Sequence, residues 1–233
     1  EAKFADKEDQ PNMLMFDIQT PQLEDVRSKV TDRKMRILQE VPIVTMQLNE
    51  INGIDKKENE EKPDEENYSR WLYNREFRVT YRDTLITSET LSSGELIPLG
   101  ARGDSIFVSL ERGFGEGNKM KLGDELIFNV QGRPIKTYIG SFRDVKFNQV
   151  STNFLVLFPN GVLEQAPKFH VIITKTQNDR QAADVQSEIV REFPNISIIN
   201  LGTIVETLED ILGKISFVIQ FMAFFSIATG ILV

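Results

Sequence analysis

Cysteine is absent from the 233 residues, which excludes a disulfide framework, a thiol nucleophile and a thiolate-bound metal, and is silent on compartment. Histidine occurs once, at His170. A lone imidazole cannot form an H-E-x-x-H metal site, and the chain has no G-x-S-x-G elbow that would place a nucleophile beside it. His170 falls inside a strand-like run, so a structural role is the simpler reading. No G-x-x-x-x-G-K-[ST] occurs, so the chain does not hold a nucleotide in a P-loop. The cluster Gly113, Gly115 and Gly117 has no strand–turn–helix context and carries Glu116, and reads as a flexible loop. Basic residues are in deficit, 27 against 35 acidic, for a formal net charge of −8. That balance argues against nucleic acid, whose phosphates need a basic face, and against docking on anionic lipid headgroups.

Carboxylates are plentiful, but nothing singles out a catalytic pair. The acidic stretch 55–67 (DKKENEEKPDEEN) lacks the glycine and alternating ligands of an EF-hand. No catalytic residue, metal site or cofactor site is therefore expected. Arg102-Gly103-Asp104 reads as a turn, and Asn67 and Asn195 match glycosylation sequons by pattern only.

What is present is a globular balance, 40% hydrophobic and 27% charged, long enough for one large domain or two smaller ones. Residues 12–19 (NMLMFDIQ) have strand length. Thr20-Pro21 then supplies an N-cap and a proline at the first helical position. Leu23, Val26 and Val30 fall on one helical face, with Glu24 and Asp25 in the first turn and Arg33 and Lys34 at the end, as the helix dipole favours. Over 41–51, Ile43, Thr45, Gln47 and Asn49 alternate with Val44, Met46 and Leu48, a second strand. The acidic stretch cannot bury a core and reads as a solvated excursion that marks a boundary.

Beyond it come short strand-like pieces at 76–81, 106–110, 125–130, 135–142 and 153–158, punctuated by Gly123-Asp124, Gly132 to Pro134 and Pro159 to Gly161. After Pro167 the first texture returns. Residues 169–174 (FHVIIT) read as a strand. Residues 179–193 read as a helix burying Ala182, Val185, Ile189, Val190 and Phe193 before Pro194 stops it, and 196–200 as a final strand. The order is βαβ, a β-rich insert, then a second βαβ. These are the ingredients of an α+β, ferredoxin-like sheet with both helices on one face, interrupted between its halves.

The chain ends in ISFVIQFMAFFSIATGILV, residues 215–233, without a charge. At ~1.5 Å per residue this run is roughly 28 Å long, close to the hydrocarbon thickness of a bilayer. A capping box at Thr203 and Glu206 opens a helix whose Leu208 and Leu212 share an apolar stripe, and no proline separates it from the apolar run. A helix continuous over 203–233 would be roughly 46 Å long and would link the folded body stiffly to the membrane. Thr203, Glu206, Leu208, Leu212 and Gly213 are the candidate coupling residues, Gly213 being the weak point of the junction. With no initiator Met, no signal-peptide pattern and an end inside the apolar run, the chain reads as a segment of a longer membrane protein.

Phenylalanine is abundant, 16 against one Trp and four Tyr. Phe142, Phe147, Phe154 and Phe158 in the insert are candidates for an apolar surface that handles lipid-like molecules, against the simpler reading of core packing.

The strings KLGDELIFNVQG (121–132), GSFRDVKF (140–147) and NFLVLFPNGVLEQAP (153–167), with NMLMFDIQTPQ (12–22) and the terminal helix, resemble the extracytoplasmic domain of the FtsX/MacB-like permeases of ABC transporters. Within them the chain is most similar to the large YbbP-type permeases. The resemblance implies a porter-like βαβ subdomain in two halves, 1–67 and 168–202, a β-rich, sabre-like insert at 68–167, and a helix leading into a truncated transmembrane segment at 203–233. It further implies a place in the bacterial inner membrane with this segment on the periplasmic or extracellular side, and ATP hydrolysis on a separate ATP-binding subunit. The expected partners are that subunit, the remaining permease membrane helices, the lipid bilayer and a periplasmic protein, with no nucleic acid and no catalytic residues. In this type VII arrangement, ATP-driven motion of membrane helices moves the external domain to export or extract a hydrophobic or lipid-linked substrate. A membrane-anchored binding or sensory domain without transport is the alternative, and an anchored hydrolase a second one.

Overall fold

The computed structural model describes residues 11–63, 67–147, 151–201 and 214–223. In chain order the elements are β1 (Met13–Gln19), α1 (Leu23–Asp32), β2 (Ile37–Ile51), β3 (Ile54–Asp55), α2 (Lys56–Glu61), α3 (Arg70–Asn74), β4 (Glu76–Tyr81), β5 (Glu89–Gly94) and β6 (Ala101–Asp104). There follow β7 (Phe107–Glu111), α4 (Arg112–Gly117), β8 (Glu125–Val130), β9 (Arg133–Val145), β10 (Val156–Phe158), β11 (Phe169–Thr174), α5 (Asp179–Glu192) and β12 (Ser197–Asn200). The mixed α and β character expected from the sequence is borne out.

Four strands lie side by side in the order β12-β1-β11-β2, every neighbouring pair antiparallel. One face of this sheet is covered by α1 and α5. Met13, Met15 and Ile172 from the strands pack there against Val26 and Val30 of α1 and Val185 and Ile189 of α5. A turn of 3-10 helix with Pro21 precedes α1, and Glu24 and Asp25 occupy the first turn of α1, where the backbone N–H groups attract negative charge. In α5 the Asn178 side chain accepts a hydrogen bond from the Gln181 N–H at 2.9 Å, fixing the start of that helix.

The insert does more than add strands. β2 pairs with β11 through Ile43, then with β4 from Val44 to Gln47 and with β8 from Gln47 to Ile51. The ladder continues β4-β10-β7-β9, and β8 joins β9 back to β2, so a six-stranded barrel closes on itself. The β4–β10 and β7–β9 pairs are parallel and the rest of the ring is antiparallel. Closure removes most of the free strand edges an open sheet would carry. Val44, Met46 and Leu48 turn into the barrel with Phe77, Phe128 and Phe158. The aromatic rings of the last three meet edge to face, at 6.2 Å for Phe77–Phe128 and 5.6 Å for Phe128–Phe158.

Two segments differ from their sequence reading. The cluster Gly113, Gly115 and Gly117 lies in α4 and not in a loop: the Glu111 carboxylate accepts from the N–H groups of Gly113 and Phe114, and Phe114 is buried. Glycine is needed at 115 because a Cβ there would sit 2.2 Å from the Phe142 ring. The acidic stretch also contributes a helix, α2. Asp55 caps α2, and buried Asn59 exchanges two hydrogen bonds with the Tyr68 backbone.

Thr203, Glu206, Leu208, Leu212 and Gly213 lie outside the described residues. Residues 214–223 are helical, with Phe217 at 68% and Met222 at 65% exposure. Among the described residues no helix is long and apolar enough to cross a membrane.

Candidate functional site

The sheet face opposite α1 and α5 carries no helix among the described residues. Side chains alternate along a strand, so the residues that do not face the helices are Leu14 and Phe16 on β1, Val171 on β11 and Ile199 on β12, all apolar. This face meets the outer wall of the barrel at β2, and a groove of about 630 Å³ lies along the junction, within the range of small-molecule sites, roughly 300–1,000 Å³. Its floor is formed by Leu14, Phe16, Ile43, Phe169, Val171 and Ile199. On the barrel side Phe77 turns inward while its neighbours Glu76 and Arg78 are exposed along the wall, and Arg75 stands at the start of β4. The segment 151–155 covers the third side and contributes Phe154.

That segment is held from below. Gln39 accepts hydrogen bonds from the Thr152 N–H and hydroxyl, each at 3.1 Å. Ser151 donates to Asn153 at 2.9 Å and to Ser88 at 3.2 Å. Deeper in, Arg143 is fully buried. It donates to the Phe154 carbonyl, to the Ser109 carbonyl at 2.5 Å and to the Glu89 carboxylate at 3.2 Å. Glu89 in turn accepts from Arg82 at 2.6 Å. Burial pulls the Arg143 guanidinium below its ordinary pKa, and the charge of Glu89 opposes that pull. A buried cation with a carboxylate and two carbonyls around it is a fixed strut. It ties β9, β7 and β5 to the segment that presents Phe154.

The four phenylalanines expected to form one apolar surface are not brought together. Phe158, with 0% exposure, and Phe142 belong to the barrel core and offer no surface to a ligand. Phe147 is 60% exposed just past the end of β9. Of the four, Phe154 lines the groove. The physical reason is register: inward positions of β9 and β10 fill a closed barrel, and apolar content alone does not distinguish a filled interior from an open face. The groove residues of β1 and β11 were legible only as strand. Their runs are apolar on both faces, and nothing local says which face packs on the helices.

His170 lies on the helix side of β11, buried, its Nε2 3.2 Å from the Thr20 hydroxyl, and burial lowers its pKa. Among the described residues no group of three or more His, Cys, Asp or Glu side chains could hold a metal ion. The groove is apolar on its floor and charged along one rim.

No protein-family model matches the chain. It is 24% identical over 222 residues to an uncharacterized ABC transporter permease, YbbP, of Escherichia coli (strain K12), covering 95% of this chain and 26% of that protein. The chain therefore spans about a quarter of the length of the curated relative it matches. The crystal structure of a domain provisionally assigned to a permease protein of Porphyromonas gingivalis aligns over 82% of this chain and 89% of that one, at 10% identity and a TM-score of 0.37, too distant to carry an argument. The resemblance to YbbP-type ABC transporter permeases expected from the sequence is borne out by the first of these similarities.

Proposed function

We propose that this chain is the extracytoplasmic domain of an ABC transporter permease, and that it couples motion of the permease membrane helices to the export or extraction of a hydrophobic or lipid-linked substrate. ATP is hydrolysed on a separate ATP-binding subunit, and the domain itself performs no catalysis. The protein resides in the bacterial inner membrane with this segment on the periplasmic or extracellular side. Its partners there are the remaining membrane helices, the bilayer, the ATP-binding subunit and a periplasmic protein. The four-stranded sheet, with both helices on one face, is read as a ferredoxin-like, porter-like subdomain in two halves, 1–67 and 168–202, and the segment 68–167, which closes the barrel with the second half of β2, as the sabre-like insert.

The observation that carries this reading is the apolar groove where the two parts meet. Both parts share β2, a single 15-residue strand. Hydrogen-bonded along its length, such a strand transmits a displacement of the sheet to the barrel, where a flexible linker would dissipate it. An apolar ligand lying across that junction is in the path of the displacement. The similarity to an ABC transporter permease over nearly the whole chain supports the same reading.

The test is mechanical. In the full-length permease assembled with its ATP-binding subunit, Leu212→Pro breaks the proposed 203–233 coupling helix. Assembly and basal ATP hydrolysis are expected to persist while substrate movement falls to background. Unchanged transport contradicts the coupling role.

A further inference from the structure

We infer that the groove is selective for an anionic single-chain amphiphile, a lipid whose chain lies on the apolar floor and whose phosphate or carboxylate head is held by Arg75 and Arg78. The inference rests on the reading of the groove as the substrate contact and adds the charge of the ligand to it.

The chain carries eight more acidic than basic residues, and its arginines near the core are matched to carboxylates: Arg27 to Glu40, Arg33 to Glu188, Arg82 and Arg143 to Glu89. Arg75 and Arg78 depart from that pattern. Among the described residues neither forms an ion pair, although carboxylates are in excess and Glu76 stands between them. Their recorded partners are aromatic faces. The Arg75 guanidinium lies 5.1 Å from the Trp71 ring centre and 5.6 Å from that of Phe77, and the Arg78 guanidinium 5.8 Å from that of Phe169. A guanidinium stacked on a ring is oriented at little entropic cost and keeps its N–H groups at the ring edge free to meet an oxyanion.

Both arginines border the floor built from Phe16, Phe169 and Val171. An apolar floor joined to a cationic rim is complementary to a molecule with a greasy body and an anionic head. A neutral amphiphile would leave two desolvated guanidinium groups unanswered, and a free anion would leave the floor bare. The net negative charge of the whole chain works against adsorption to an anionic surface, so an anionic lipid is favoured here only by these two local cations. Glu76 opposes them, which gives the proposal a sign that can be reversed.

Trp71 is the sole tryptophan of the chain and sits under Arg75, so its emission reports the rim directly. The 233-residue chain is held in nanodiscs of zwitterionic phospholipid and titrated with dodecyl phosphate, with dodecyl maltoside as the neutral amphiphile, and with inorganic phosphate. Dodecyl phosphate is expected to give a saturable change in Trp71 emission. The double variant Arg75→Gln/Arg78→Gln is expected to weaken binding roughly tenfold or more, and Glu76→Gln to tighten it. Circular dichroism and thermal unfolding confirm that each variant is folded. Equal affinity for the neutral amphiphile, or no effect of the arginine and Glu76 substitutions, overturns the charge selectivity and leaves the apolar groove standing. Equal binding of inorganic phosphate overturns the amphiphile and makes the rim an anion site alone. No saturable response to either amphiphile overturns both this inference and the groove as substrate contact.

Discussion

At the scale of single residues the structure turns on Arg143. Its guanidinium is shielded from solvent, and its charge is met by Glu89 and two carbonyl oxygens, one of them on Phe154 at the groove. Removing one member of such a buried pair leaves the other uncompensated, so Arg143→Met is expected to cost about 3–5 kcal/mol of stability, measured by chemical denaturation. Arg143→Met/Glu89→Gln should recover part of that loss, because both charges are then gone. A single variant as stable as the parent would show that the strut contributes nothing. None of this was legible in the sequence, where Arg143 is one basic residue in GSFRDVKF and Glu89 lies far from it. Neither residue type nor local spacing announces a pairing that closes only when β5, β7 and β9 come together.

At the scale of elements the local physics was easier to read. Leu23, Val26 and Val30 face inward on α1, and Ala182, Val185 and Ile189 on α5, as the helical spacing required. Val190, placed on the same apolar face by sequence, is 40% exposed, since it lies 100° round the helix from Ile189, toward solvent. Asn178 is the N-cap of α5, and Asn178→Ala is expected to lower stability by about 1 kcal/mol, seen as a shifted denaturation midpoint with unchanged slope. A neutral substitution would mean that packing on the sheet alone sets the start of that helix. The glycine-rich segment was the harder case. Three glycines in six residues argue against a helix by propensity, yet the Glu111 cap and the approach of Gly115 to Phe142 stabilise α4 through tertiary contact. The apolar runs 12–19 and 169–174 do form strands, but their pattern does not distinguish groove-facing residues from core-facing ones.

At the scale of the whole molecule, the return of the βαβ texture after Pro167 signalled that the two ends of the folded body belong together, and β1, β2, β11 and β12 lie side by side in one sheet. What pattern could not give was the closure of the barrel by β2. The strand alternates without interruption from Ile43 to Leu48, and the change of partner from β11 to β4 and β8 depends on chain segments far away in sequence. That shared strand is why the groove exists: the sheet face opposite α1 and α5 and the barrel's outer wall are two sides of one junction. In the proposed function it is also the path by which displacement passes from one part to the other.

The proposed function requires the folded body to stand outside the membrane, in front of the permease helices. The absence of cysteine from this chain makes that directly measurable. Ser92 on β5 and Ser187 on α5 are both exposed, and Ser92→Cys and Ser187→Cys in the full-length permease place one new thiol on the strand that flanks the barrel at β9 and one on the helix layer. Intact cells with a permeabilised outer layer are treated with a membrane-impermeant maleimide, the unsubstituted permease serving as the background. Labelling of both cysteines before lysis, with no gain after it, is the result predicted here; labelling of either only after the inner membrane is broken would contradict it.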